Sequence, residues 1–125
     1  MRIGILEDYQ SLGRILQLSL GLAGYTVQTS QTIIDFLTFV TSPTPADLII
    51  VDFLLLAEHP EAQLSGTDVI RHIRTTSPNM PAILISAAPL ATLEAATVGL
   101  SGVKILRKPF KTTTLLEMIK AVTVT

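Results

Sequence analysis

Five short segments of strand character, RIGIL (2–6), YTVQT (25–29), DLIIV (47–51), AILIS (82–86) and VKILR (103–107), are each followed by a stretch of helical periodicity. Strands that read as near-continuous apolar runs, separated by helices, belong to a parallel sheet covered on both faces. The first helical stretch, 11–24, places Leu12, Ile15, Leu16, Leu20 and Ala23 on an inner face, with Gly24 as its C-cap. The second, 30–40, has Ser30 as N-cap and Ile33, Phe36, Leu37 and Val40 at amphipathic spacing. The third, 66–76, buries Val69, Ile70 and Ile73 and stops before SPNMP. The fourth covers 89–100, opened by Pro89, and the fifth covers 112–122, burying Leu115, Leu116, Ile119 and Val122. The sequence therefore predicts an α/β chain of order βαβαβαβαβα, a doubly wound five-stranded parallel sheet, as one domain over 1–125.

Composition narrows the function. The chain has 125 residues, no cysteine, nine basic and ten acidic residues, and no cluster of lysine or arginine. Disulfide frameworks and cysteine-based metal or redox sites are excluded, and no phosphate-backbone footprint points to nucleic acid. The N-terminus is neither a signal nor a transit peptide, and the longest apolar run, 48–57, is too short to span a bilayer. A cytoplasmic protein with no membrane partner is expected. Only 15% of residues are charged, and mean hydropathy is +0.53. Such a chain either exposes a hydrophobic patch or fills its core unusually well under a Thr/Ser-rich surface.

In open α/β sheets, ligands bind beyond the carboxyl ends of the strands. The polar residues of this chain gather there: Glu7 and Asp8 after the first strand, Asp52 after LIIV, Ser86 at the end of the fourth, and Lys108 after the fifth. Each alone has an ordinary explanation, as a strand-end acid, a turn hydroxyl or a solvated lysine. Together they bring three carboxylates into one crevice, where each pair at about 4 Å and an effective dielectric of about 20 costs roughly 4 kcal/mol. One lysine does not offset this, so a cation or a proton must. Hard oxygen donors without His or Cys favour Mg²⁺, and a carboxylate beside Mg²⁺ and a lysine can take up a phosphoryl group. His59 and His72 lack ligand spacing, and Arg71 and Arg74 read as solvated.

With Glu7-Asp8, Asp52, Ser86 in ILISA and Lys108 in RKPF in this order at these strand ends, the chain resembles the response-regulator receiver domain of two-component signalling over essentially its whole length. The resemblance implies a flavodoxin-like (βα)5 fold with strand order 2-1-3-4-5. Asp52 would accept a phosphoryl group from a histidine kinase or a histidine phosphotransfer protein. Asp8 would bind Mg²⁺ directly and Glu7 mainly through water, with Asp52 and the backbone carbonyl of Leu54 as further ligands. Lys108 would pair with the phosphoryl oxygens, Ser86 would swing toward them, and the Lys108-Pro109 bond would be cis. Output would be by binding a downstream target protein, with a homodimer through the fourth helix, fifth strand and fifth helix as one form of it, because the chain ends just after the last helix.

Two departures stand out. The proline usual four residues after the aspartate is replaced by Leu56, and the matching glycine is Gly66, about six residues late, so the loop after the third strand is lengthened. Ile105 occupies the place of the family's switch aromatic, which puts the usual aromatic coupling in doubt. Two other readings follow from the same residues. One is a binding or assembly module that does not use phosphorylation. The other is a Mg²⁺ phosphohydrolase, which needs an aspartate two residues after the nucleophile, where this chain has Leu54.

Overall fold

Alternation of side chains along the three central strands sorts the core into two layers. In the computed structural model, which describes residues 1–55 and 64–123, Ile49 and Val51 of the third strand join Leu6, Phe36, Val40, Val69, Ile70, Ile73 and Leu84 on one face. Leu48 and Ile50 join Ile3, Ile5, Leu16, Leu20, Ile83, Ile85, Leu115 and Ile119 on the other. The period of two in a pleated strand divides one apolar run between both faces, which is why these runs show no polar alternation.

The elements in chain order are β1 (Arg2–Leu6), α1 (Gln10–Leu22), β2 (Thr26–Ser30), α2 (Ile33–Val40), β3 (Leu48–Asp52), α3 (Gly66–Arg74), β4 (Ala82–Ser86), α4 (Leu90–Ala96), β5 (Val103–Arg107) and α5 (Thr112–Thr123). All strands pair in parallel in the order β2-β1-β3-β4-β5. This is the doubly wound sheet expected from the alternation. The edge strands β2 and β5 are mostly half-buried or exposed, with only Ser30 and Leu106 buried, whereas β3 and β4 are buried throughout.

Several local expectations change. Ser30 does not cap α2: it is the buried last residue of β2, and its carbonyl accepts from the Glu7 amide at 3.1 Å. Thr32 caps instead, its hydroxyl accepting from the Asp35 amide at 3.2 Å. Pairing of β2 with β1 extends one residue further than composition suggests, and the helix starts later. On α1, Ile15 and Ala23 do not face inward. Gly13, Leu16 and Leu20 make the buried face, while Ile15, Leu18 and Leu22 are 54%, 68% and 89% exposed. Gly24 follows the helix at φ +100°, as a C-terminal glycine should. Helix α4 ends at Ala96 rather than 100, because Thr97 turns the chain, with the Leu100 amide donating to the Thr97 carbonyl and Gly99 at φ +84°. Leu56 and His59 lie outside the described residues.

Candidate functional site: an acidic crevice at the strand ends

Register places the site. Leu6 pairs with Val51, so Glu7 lies level with Asp52. Asp52 pairs with Ile85, one residue short of Ser86, and Ser86 pairs with Arg107, one short of Lys108. The Lys108 amide then donates to the Ser86 carbonyl at 2.8 Å, and the Phe53 amide to Ile85 at 2.9 Å, continuing the ladder past the named strands. Four residues distant in sequence are thus brought to one edge by strand pairing alone.

Carboxylate oxygens of Glu7, Asp8 and Asp52 lie within 4.8 Å of one another. Glu7, Asp52 and Ser86 are buried, at 1%, 5% and 1% exposure. Lys108 reaches over them, its Nζ 2.9 Å from Glu7 Oε1 and 3.4 Å from Asp52 Oδ2. Glu7 Oε2 also accepts from the Tyr9 amide at 3.0 Å, and Asp52 Oδ1 from the Leu54 amide at 3.3 Å. Ser86 Oγ accepts from the Ala88 amide at 3.0 Å. Lys108-Pro109 is cis. Tyr9 is two-thirds exposed and, with Leu12, Lys108, Pro109 and Phe110, borders a mostly apolar hollow of about 420 Å³ beside the crevice.

The electrostatics answer how an aspartate can end an apolar strand. Burial, with the hydrogen bonding and like charge of Glu7, pushes the Asp52 carboxyl up to about 7, only partly offset by Lys108 and the Leu54 amide. Burial works against the Lys108 ammonium, but its hydrogen bond to Glu7 and the charges of Asp52 and Glu7 outweigh that and raise its pKa. The three acids against one lysine remain short of positive charge. Three clustered carboxylate oxygens, with no His or Cys among them, are a donor set that fits a hard divalent ion such as Mg²⁺.

Glycine at 66 is a demand of this site. A Cβ there would lie 2.3 Å from the Asp52 carbonyl oxygen and 2.8 Å from Val51 Cγ1, because the first turn of α3 sits directly on the end of β3. The Gly66 amide donates to the Phe53 carbonyl at 2.8 Å, and Leu54 bridges to Ser65, closing the entry to α3. Ser65 and Asp68 complete a capping box at that helix start.

The sequence matches the response regulator receiver domain over residues 3–120. This chain belongs to the response regulator receiver domain family. It is 26% identical over 121 residues to the response regulator MprA of Mycobacterium avium, covering 97% of this chain and 50% of that protein. The M. ulcerans protein of the same name is equally similar, with 49% of its length covered. The chain thus spans about half the length of these curated relatives. Among solved structures, the non-phosphorylated HemR receiver domain of Leptospira biflexa superposes with a TM-score of 0.82 at 25% identity, covering 99% of this chain and 95% of that one. Chemotaxis protein CheY4 of Vibrio cholerae shares the fold at TM-score 0.83 and 20% identity, covering 97% of each chain. Response regulator receiver domains are generally signalling switches rather than classical enzymes, and no helix among the described residues of this chain is long and apolar enough to cross a membrane.

Sequence reasoning gathered the polar residues but missed their attachments. Arg71 and Arg74, read as solvated, donate across the fold: Arg71 to the Ala96 and Val98 carbonyls, both at 3.2 Å, and Arg74 to Met80, at 2.8 and 3.2 Å, and to Ser101. Arg107 Nε donates to the Ala88 carbonyl at 3.1 Å. Their partners are backbone carbonyls, which leave no trace in side-chain pattern.

Proposed function

We propose that this domain is a phosphoryl-accepting switch in which Asp52 takes the phosphoryl group from a phosphohistidine of a kinase or phosphotransfer protein. The observation that carries the reading is the cluster of Glu7, Asp8 and Asp52 carboxylates at the sheet edge, with Lys108 bridging Glu7 and Asp52. A carboxyl with excess negative surroundings is ready to receive cationic help. An oxygen of the Asp52 carboxylate attacks phosphorus, the P–N bond to the donor imidazole breaks, and its electron pair leaves with the imidazole nitrogen. Lys108 follows the phosphoryl oxygens, Glu7 anchors Lys108, and the Ser86 hydroxyl donates to the transferred group. Glu7, Asp8, Asp52 and the Leu54 carbonyl would hold Mg²⁺, which supplies the positive charge that keeps Asp52 ionised and neutralises the incoming oxygens. Output by protein binding at the face of α4, β5 and α5, including pairing with a second copy, belongs to the same reading.

The test is Mg²⁺-dependent labelling by a small phosphodonor such as acetyl phosphate, followed by intact mass. A gain of one phosphoryl group in the wild type, lost in Asp52→Asn and without Mg²⁺, is the expected result. Absence of labelling in the wild type would favour the binding module that does not use phosphorylation. Sustained turnover of phosphomonoesters would favour a phosphohydrolase.

A further inference from the structure

Ile105 cannot carry an aromatic swing, and it is partly buried against the core layer of α2, α3 and α4. The coupling between the crevice and α4 must run elsewhere in this chain. Ala88, two residues before α4, is held through both peptide units that flank its Cα. Its amide donates to Ser86 Oγ at 3.0 Å, inside the crevice, and its carbonyl accepts from Arg107 Nε at 3.1 Å, outside it. Helix α4 is tied at its other end by Arg71, through Ala96 and Val98. The helix has only seven residues and one fully buried side chain, Leu93, so these tethers are a large share of what positions it.

We infer that Arg107 is the latch of this switch: it holds the β4–α4 segment at Ala88 in the unphosphorylated arrangement, and the departure of Ser86 Oγ from the Ala88 amide releases it. The inference rests on the phosphoryl-switch reading above. A Ser86 hydroxyl has one proton to donate. Bringing that proton to a phosphoryl oxygen on Asp52 takes a change of Ser86 χ1 that moves Oγ itself, so the Ala88 amide loses its acceptor and needs a new partner. With its N–H no longer held, the segment turns about the Ala88 Cα, and the following Ala88–Pro89 peptide unit carries its carbonyl away from Arg107, freeing a guanidinium at the open edge of β5 beside α4. The latch therefore changes both the seat of α4 and the charge presented on that face.

Linkage makes this measurable. An interaction made only in the resting arrangement weakens binding of any ligand that selects the other arrangement, by the same factor. A solvent-exposed hydrogen bond of modest net strength corresponds to about threefold in an equilibrium. The probe is beryllofluoride with Mg²⁺, a phosphoryl mimic, titrated by NMR into the wild type, Arg107→Ala, Ser86→Ala and the double variant. Affinity is expected to rise about threefold in Arg107→Ala, and the rise should vanish when Ser86 is already Ala. In the wild type the Ala88 amide and the Arg107 Nε–H signals should shift together with one saturation curve. Equal affinities for wild type and Arg107→Ala, or an Arg107 signal unmoved while Ala88 shifts, would overturn the latch while leaving the switch intact. Failure of the wild type to bind the mimic at all would instead strike the switch reading itself.

Discussion

Replacing Asp52 by Asn should stabilise the metal-free protein at neutral and alkaline pH, although it removes a residue proposed to be central to function. The Asp52 carboxyl is raised from 3.8 to about 7 in the fold. Between those values the folded chain binds one proton more than the unfolded chain, so the stability contribution is whole below pH 3.8 and is lost as pH rises through 7. At about 1.36 kcal/mol per unit, the full shift corresponds to about 4 kcal/mol. The crevice opens to water and the Lys108 side chain is 24% exposed, so screening brings the realised loss to about 2 kcal/mol. Asn keeps the shape and a carbonyl for the Leu54 amide but never ionises. Urea denaturation of both proteins, without divalent ions, is the assay. The variant should match the wild type near pH 4 and exceed it by about 2 kcal/mol at pH 8, with Mg²⁺ closing the gap by binding the folded wild type. Because other carboxyl groups are common to both chains, the difference isolates Asp52. A wild type as stable as the variant at pH 8, or more so, would refute the account of why this strand tolerates its aspartate.

Removing the single cation of the crevice should act in the opposite direction. Lys108→Met should lower stability by about 2 kcal/mol at pH 8 and move the Asp52 titration, followed by carboxyl-carbon NMR, further upward. Gly66→Ala should cost about 3 kcal/mol in the same denaturation assay, since its methyl group has no room against the Asp52 carbonyl. It should also weaken Mg²⁺ binding measured by calorimetry. Phe36→Ala, in contrast, should cost about 3–5 kcal/mol while leaving crevice chemistry in the surviving folded fraction intact, because Phe36 is fully buried in the layer under α2.

The exposed apolar stripe of α1 shows where periodicity misleads. Leu12, Ile15, Leu16, Leu20 and Ala23 fit one broad face, yet Ile15 and Ala23 are open to solvent and Leu18 and Leu22 join Ile15 outside. A helix that is apolar nearly all round carries no internal mark of which side meets the sheet. Ser30 gives the same lesson at a boundary: its residue type favours a cap, but pairing with β1 holds it in the strand.

Strand and helix order, the parallel sheet and the presence of acids, hydroxyl and lysine at its carboxyl edge were determined by the sequence alone. They follow from local periodicity and from the rule that polar groups in apolar runs must fall at the ends. Only the tertiary structure decided that Glu7 is a buried anchor for a lysine 101 residues away, that Asp52 is held near neutrality, and that glycine alone fits at 66. It also decided that Arg71 and Arg107 bind backbone carbonyls on either side of α4 and that Arg74 binds those of Met80 and Ser101. Each of these depends on inter-strand register and on which groups lose their water together, quantities that no segment of the chain carries by itself.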